Sequence, residues 1–407
     1  HSHDTGRCIS PYGYKVNTPN LQKFATESVT FRQCFCANPT CSPSRACLLS
    51  GEYAHSNGML GLAHRGFEMN DYSKHIVNTL KQYGYHSALL GIQHIASGGR
   101  VKEIGYDEVI DLKSINQSRA INDLAPFADE FFAQKRNKPF FLSLGCFETH
   151  RKFPEYDDNN DPRWVKPPAI LPDTPQTRID TARFNTMAEI YDTGVGKVLA
   201  SLEKHQLTEN TLVIITTDHG IAFPGMKCNL TDQGLGVLLM MRGPDGFTGG
   251  KVIDGMVSHV DVFPTICEYL GIEPPKRLQG TSFMPLVSGE KSSIRDEVFA
   301  EVNAHAAYEP MRCVRTERYK YIKRFLQKHT TPAIPNCDKG ESRTYWLEHD
   351  WQNQELEREE LYDLVFDPQE RNNLAQTPKM KDVLKDMRQR LQCWMEDTDD
   401  PDRKSTR

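Results

Sequence analysis

Short apolar segments alternate with amphipathic segments over residues 1–293 of the chain. Apolar runs of strand length occur at 87–91, 139–146, 211–217 and 236–242. Runs with helical spacing of apolar residues lie around them, at 20–27, 76–83, 121–135, 178–204 and 260–270. Apolar strands that alternate with helices are typical of a mainly parallel sheet covered on both faces. The pattern therefore predicts one large α/β domain over residues 1–293.

The pattern changes after residue 293. The stretches "DEVFAEV", "MRCVRTERYKYIKRF" and "EELYDLVFDP" alternate apolar and polar residues, which is typical of antiparallel strands, and 379–394 has the spacing of an amphipathic helix. These elements predict a smaller α+β subdomain over residues 294–407. The acidic, proline-bearing tail at 395–407 is predicted to be mobile. A Pro-, Asp- and Asn-rich segment at 151–175 directly follows a predicted strand, and we expect it to form a long surface loop.

Composition and charge exclude some partners. The chain carries 49 Lys and Arg against 54 Asp and Glu, so it lacks the basic character of a nucleic-acid-binding protein. No apolar run approaches the roughly 18 residues that a membrane helix requires. The sequence opens abruptly with "HSHDTGR", so the lack of a visible leader does not argue for a cytoplasmic protein. The 11 cysteines are an odd number in no regular framework, which indicates that at least one is free or modified.

The stretch "CSPSRACLLSG", which begins at Cys41, admits more than one interpretation. It fits the start of a helix, with a serine as N-cap and Pro43 in the first turn. Alternatively, Cys41 fits a zinc cluster with three nearby cysteines, Cys34, Cys36 and Cys47. Their spacings lack the paired Cys-x-x-Cys pattern of zinc sites, which argues against the cluster.

The same stretch resembles the signature of the type I sulfatases, Cys-x-Pro-Ser-Arg followed by an apolar residue, a hydroxyl residue and glycine. The resemblance implies an alkaline-phosphatase-like α/β fold and makes Cys41 the residue that a formylglycine-generating enzyme oxidises to formylglycine. A hydrated aldehyde attacks sulfur with one hydroxyl and expels sulfate through the other, which is nucleophilic catalysis with a built-in release step. Arg45 follows one helical turn after Cys41, within reach of sulfate oxygens.

The resemblance also implies a divalent cation. "TLVIITTDHG" is a predicted buried strand that runs into Asp218 and His219, at the position of the family's metal ligands. The N-terminal "HDTG" supplies Asp4, whereas His3 occupies a position where the family usually has a second aspartate. Oxygen ligands favour Ca²⁺, and the nitrogens of His3 and His219 leave Mg²⁺ and Mn²⁺ as alternatives.

Three further residues match catalytic positions of the family. His94 in "LLGIQHIA" resembles the histidine that assists breakdown of the sulfated intermediate, although Ile92 occupies the place of the expected lysine. His150 resembles the histidine that protonates the leaving group, a role that suits imidazole near neutral pH. Lys227 in "FPGMKCNL" matches the second cation that holds sulfate. As an alternative, each side chain is simply a structural or surface residue.

Over nearly its whole length, the sequence looks most like the heparan N-sulfatase (sulfamidase) branch. The resemblance implies hydrolysis of sulfate from a glucosamine sulfate of heparan- or heparin-type glycosaminoglycan by an exported protein. Four residues are then candidate substrate contacts, namely Arg151, Glu301, His305 and Arg312. Three other functions remain open: an O-sulfatase for another polysaccharide, a phosphate or phosphonate ester hydrolase of the same superfamily, and an inactive glycan-binding protein.

Overall fold

The structure of the protein, a computed structural model, describes residues 1–110, 118–326 and 330–404. The strands formed by these residues are β1 (Val29–Phe31), β2 (Cys34–Phe35), β3 (His86–Gly91), β4 (Glu108–Ile110), β5 (Phe140–Gly145), β6 (Val213–Thr216), β7 (Gly236–Val237), β8 (Leu239–Arg242), β9 (Lys251–Ile253), β10 (Val257–Ser258), β11 (Glu297–Ala304), β12 (Tyr308–Thr316), β13 (Tyr319–Arg324) and β14 (Glu359–Asp363). The helices are α1 (Pro19–Glu27), α2 (Cys41–Ser50), α3 (Ala54–Asn57), α4 (Ile76–Gln82), α5 (Ile121–Ala133), α6 (Pro175–Lys204), α7 (Asp232–Leu235), α8 (Val262–Leu270), α9 (Met284–Ser288), α10 (Glu341–Glu348) and α11 (Lys381–Asp397).

Two groups of strands build the main sheet, in the orders β4-β3-β5 and β6-β8-β1-β9. The first residues of the chain lie between them. The backbone N–H of Cys146, after β5, donates to the carbonyl oxygen of His1 (3.1 Å), and Ser2 N–H donates to the carbonyl oxygen of Thr216 in β6 (3.1 Å). Residues 1–3 therefore join the two groups into one sheet.

Strand directions in this sheet confirm the prediction of a mainly parallel arrangement. β3 is parallel to β4 and β5, and Ser2 pairs in parallel with Thr217 at the end of β6. β8 is antiparallel to both β6 and β1, so β6 and β1 run in the same direction, and β9 is parallel to β1. The prediction of a single strand at 236–242 was wrong. The segment is divided at Leu238, whose N–H donates to the carbonyl oxygen of Gly6 (2.8 Å). The first part, β7, pairs with β2 in a separate small sheet.

Alternating side chains of the strands enter different hydrophobic clusters. In β8, Met241 belongs to a cluster with Leu80 of α4 and Phe263 of α8. Its neighbour Met240 belongs to a cluster with residues of α1, α5 and α6, among them Phe24, Phe131 and Tyr191. Because successive side chains of a strand point to opposite faces, helices cover the sheet on both sides. No helix formed by the described residues combines the length and apolar character needed to cross a membrane.

The C-terminal part forms the predicted α+β subdomain. β11, β12, β13 and β14 make an antiparallel sheet in that order, and α11 packs against it through Leu384, Met387 and Leu391. Other side chains of this sheet, including Val302 and Cys313, belong to the same cluster as Phe263 of the large domain. The two parts thus share a core, and the division at residues 293 and 294 stays a prediction.

The end of the chain is anchored, so the prediction of a mobile tail was wrong for residues 395–404; residues 405–407 lie outside the described residues. α11 continues to Asp397, and the fully buried Asp400 accepts hydrogen bonds from Arg312 Nε (2.6 Å) and Nη2 (3.1 Å). Arg312 also lies 3.7 Å from Glu301, whose second oxygen pairs with His55 Nδ1 at 2.9 Å. Burial opposes ionisation of Glu301, but His55 and Arg312 outweigh it and lower its pKa to about 2.

We expect Asp400→Asn to lower the free energy of unfolding by about 3 kcal/mol, because it removes one of the charged partners of the buried Arg312 guanidinium. Chemical denaturation measures the change. The matched control is Asp399→Asn, which weakens an ion pair with Arg403 in which the aspartate side chain is 87% exposed. Its effect should stay within about 1 kcal/mol. Equal effects of the two substitutions would contradict the anchoring role of Asp400.

Candidate active site

Several candidate residues meet at one edge of the main sheet because they follow its strands. His94 follows β3, His150 follows β5, and Asp218 with His219 follows β6. The carboxyl ends of parallel strands lie on the same side of a sheet, which is where α/β proteins place their sites. Asp4 reaches this edge directly after the segment that joins β5 and β6, and its N–H donates to Asp218 Oδ1 at 2.8 Å.

Cys41 is the first residue of α2 and only 2% exposed. Its Sγ lies 3.4 Å from His219 Nε2. The residue before the helix, Thr40, is the N-cap, so the prediction of a serine cap was wrong. Burial raises the pKa of the Cys41 thiol, with Lys227 acting in the opposite direction. An unmodified thiol at this place is therefore protonated at neutral pH and a poor nucleophile.

The "PSR" stretch of α2 is tied to Asp218. The Ser44 hydroxyl donates to the carbonyl oxygen of Asp218, and Arg45 Nε lies 3.4 Å from its Oδ2. Arg45 also donates to the carbonyl oxygens of Ser2 (3.1 Å) and Ile92 (3.4 Å). Ile92, which occupies the place of the family's lysine, contacts the guanidinium through its main-chain carbonyl, and its apolar side chain is buried.

Four residues offer ligand atoms that all lie within 4.8 Å of one another: His3, Asp4, Cys41 and Asp218. His3 Nδ1 is 3.0 Å from Asp218 Oδ2, and His219 Nε2 is 3.4 Å from Asp4 Oδ1. Burial opposes ionisation of Asp218, but His219, His3 and Arg45 outweigh it and hold its pKa well below the usual range.

This group fits a divalent cation. His3 Nε2 and Asp4 Oδ1 are buried and have no hydrogen-bond partner among the described residues, a state that a bound ion would relieve. Two carboxylates suit Ca²⁺, Mg²⁺ or Mn²⁺, and the imidazoles add donors that Mn²⁺ accepts more readily than Ca²⁺. Within the part of the chain that the structure describes, no metal-binding grouping joins Cys41 to Cys34, Cys36 or Cys47.

Lys227 lies between two carboxylates. Its Nζ is 2.9 Å from Asp4 Oδ2 and 2.8 Å from Asp338 Oδ2. Burial favours the neutral amine, but the carboxylates of Asp4 and Asp338 outweigh this effect and raise the pKa of Lys227 well above its usual value. A permanently charged ammonium group is therefore held beside the cluster.

His150 and His94 flank the cluster from two sides. The Nδ1–H of His150 donates to the carbonyl oxygen of Arg151 at 2.7 Å, while its Nε2 lies 3.5 Å from Lys227 Nζ. The ring of His94 stacks on His64 with centroids 5.6 Å apart and lies at the same distance from the ring of His3. Desolvation and then Arg45 lower the pKa of His94 to about 3, so this imidazole is neutral.

The four candidate substrate contacts occupy different surroundings. Arg151 donates to both oxygens of the buried Asp180 at 2.8 and 2.7 Å. Glu301 and Arg312 belong to the buried network that anchors Asp400. His305 Nδ1 has no hydrogen-bond partner among the described residues, and desolvation followed by Lys227 lowers its pKa to about 3. Arg151, Glu301 and Arg312 therefore have structural partners within the chain. The assignment of all four residues as substrate contacts stays a prediction.

Sequence reasoning missed two residues at this edge, His64 and Asp338. His64 occurs in "GLAHRGF", where flanking glycines indicate only a loop. Asp338 lies 111 residues after Lys227, in a segment with no periodic pattern. No local signal identifies either residue, because tertiary packing alone brings them to the site.

Comparisons with known proteins agree with this geometry. Residues 8–272 match the family model described as Sulfatase, and residues 226–340 match the model described as N-sulphoglucosamine sulphohydrolase, C-terminal. A human protein named N-sulphoglucosamine sulphohydrolase is 28% identical, over 95% of this chain and 86% of its own length. An ulvan-active sulfatase of Formosa agariphila is also 28% identical, over 94% of this chain and 75% of its own length.

A solved structure supports the fold. A protein in complex with its substrate D-glucosamine-2-N,6-O-disulfate superposes with a TM-score of 0.76 at 18% identity, covering 100% of this chain and 98% of its own. At this level of identity the likeness concerns the fold alone. The alkaline-phosphatase-like fold predicted from the sequence is thereby confirmed.

Proposed function

Because the chain belongs to the sulfatase family, we propose that it releases sulfate from a glucosamine sulfate of heparan- or heparin-type glycosaminoglycan. Its proposed preferred substrate is N-sulfoglucosamine. One observation carries the proposal. Cys41 begins a helix in a closed cluster with His3, Asp4 and Asp218, next to the guanidinium of Arg45. The choice of N-sulfoglucosamine is supported by the C-terminal family match and by the human relative's name.

Two groups would complete the site. A divalent cation held by Asp4, Asp218, His219 and His3 would supply positive charge that lowers the pKa of a bound oxygen and offsets charge in the transition state. Formylglycine at position 41 would supply, in its hydrated form, the nucleophilic hydroxyl that the buried thiol cannot provide. The position of Cys41 at the start of α2 suits this role, since free N–H groups at a helix start favour an anion.

The remaining residues have distinct proposed roles. Arg45 and Lys227 bind sulfate oxygens and balance the charge that spreads over them during transfer. His150 keeps its Nδ1 on a carbonyl oxygen, so its Nε2 is the atom that protonates the leaving nitrogen or oxygen of the sugar. His94, neutral and near Arg45, is placed to assist the release of sulfate. Export of the protein stays a prediction from the family resemblance.

A panel of defined sulfated disaccharides tests the proposal. We expect the purified protein to release sulfate from terminal N-sulfoglucosamine faster than from the matched 6-O- and 2-O-sulfated compounds, as measured by ion chromatography. Release from O-sulfated compounds alone would replace the proposal with an O-sulfatase activity. No release from any compound, with formylglycine present by mass spectrometry, would indicate an inactive glycan-binding protein.

A further inference from the structure

We infer that Asp338 determines the preference of the site for sulfate bound to nitrogen over sulfate bound to oxygen. This inference rests on the proposed function and adds to it the residue that distinguishes a leaving nitrogen from a leaving oxygen. Asp338 belongs to the segment between β13 and α10, so it reaches the site from the C-terminal part of the chain.

The placement of Asp338 is on the leaving-group side. One polar side-chain atom each of Asp4, His150 and Asp338 lies within 4.8 Å of the others. Asp4 is fully buried, whereas the side chain of Asp338 is 27% exposed and that of His150 is 28% exposed. The two partly exposed groups therefore face the side from which a substrate enters.

An atom that receives a proton from His150 must come within about 3 Å of its Nε2. Since the carboxylate of Asp338 lies within 4.8 Å of the imidazole, a leaving atom can be about 3 Å from both groups at once. Lys227, which pairs with Asp338 at 2.8 Å, is the proposed partner of the sulfate oxygens, so these oxygens would lie on the side of Lys227. The leaving atom then faces a proton donor and a carboxylate together.

A carboxylate at this point distinguishes the two kinds of substrate. The nitrogen of a sulfamate carries a hydrogen and can donate it to Asp338, whereas the bridging oxygen of a sulfate ester carries only lone pairs, which the carboxylate repels. When the S–N bond breaks, sulfur passes to the nucleophile at position 41 and the electron pair stays on nitrogen. Nitrogen then takes a proton from His150, and its N–H groups remain partners for Asp338.

Packing around Asp338 holds it in place. The Ser342 N–H donates to Asp180 Oδ2 at 3.1 Å, on the carboxylate that also binds Arg151. The Arg151 guanidinium lies so close to Gly340 that a side chain there would collide with it. The pair of Arg151 and Asp180 therefore positions the segment that carries Asp338, which gives Arg151 a structural role.

The test compares N-sulfoglucosamine with glucosamine 6-O-sulfate in wild-type protein and in Asp338→Asn. We expect the ratio of kcat/KM values, N-sulfate over O-sulfate, to fall by about 10- to 100-fold, as for loss of one hydrogen bond to a charged group. Loss of support for Lys227 would slow both substrates, so it would leave the ratio unchanged. Asp338→Glu should restore part of the ratio. Glu341→Gln, which removes a nearby acid at the start of α10 that pairs with Arg183, is the matched control and should leave the ratio at the wild-type value.

The outcomes separate this inference from the proposed function. If wild-type protein releases sulfate from N-sulfoglucosamine and Asp338→Asn keeps the wild-type ratio, the inference alone is wrong. If wild-type protein releases no sulfate from N-sulfoglucosamine, the proposed function fails and the inference fails with it. Calorimetry gives a second readout: Asp338→Asn should weaken binding of glucosamine about tenfold while leaving binding of 2-deoxyglucose, which has no hydrogen-bond donor at C2, unchanged.

Discussion

Cys41→Ala is expected to lower kcat/KM for sulfate release by roughly 10⁴-fold or more, because it removes the only position from which the proposed nucleophile can form. The residue lies against His219 and in one cluster with Asp4 and Asp218, and an alanine there leaves the surrounding charges in place. The fold should persist, since the substitution removes one small buried atom. Sulfate release and thermal unfolding measured on the same preparation check both statements.

The matched control is Cys47→Ala. Cys47 lies on the same helix and is also fully buried, but it packs with Tyr53 and Val260 rather than with the acidic cluster. The Cys47→Ala variant should therefore retain wild-type activity. Wild-type-like sulfate release by Cys41→Ala would refute the nucleophile assignment, whatever the control shows.

Asp218→Asn is expected to abolish stoichiometric binding of the divalent cation and to lower kcat/KM by at least about 100-fold. One oxygen of Asp218 already accepts from the backbone N–H groups of Asp4 and His219, at 2.8 and 3.0 Å. The other faces His3 and Arg45. Asparagine removes the negative charge and turns an N–H₂ group toward one of these partners, so both the ion and the guanidinium lose their counter-charge.

Elemental analysis of the purified protein and titration calorimetry with Ca²⁺, Mg²⁺ and Mn²⁺ measure the effect. Asp192→Asn serves as the control, since Asp192 is a buried aspartate that accepts from the backbone of Asn20 and Leu21 at the start of α1. Its metal content should equal that of wild type. A normal metal content in Asp218→Asn would show that the cation binds elsewhere.

The sequence predicted those parts of the structure that local pattern controls. Strands such as β3 and β5 appear in the sequence as short, mainly apolar runs, so polar residues that follow a strand could be placed at its end. The family resemblance then singled out Asp218 and His150 among them. The failures share one cause. α10 has little amphipathic character and is held by contacts with α6, and the chain end at Asp400 is fixed by a buried arginine 88 residues earlier. The sequence did not identify Asp338 for the same reason, because its place at the site depends on contacts with residues far away in the sequence, such as Lys227.

The enclosed position of Cys41 bears on its proposed conversion to formylglycine. In the folded chain the residue is 2% exposed, which leaves little access for another enzyme. The proposed oxidation would therefore take place on the nascent or unfolded polypeptide. Folding and modification would then compete in time, and the active fraction of a preparation would report which of the two was faster in the host cell rather than how stable the finished protein is.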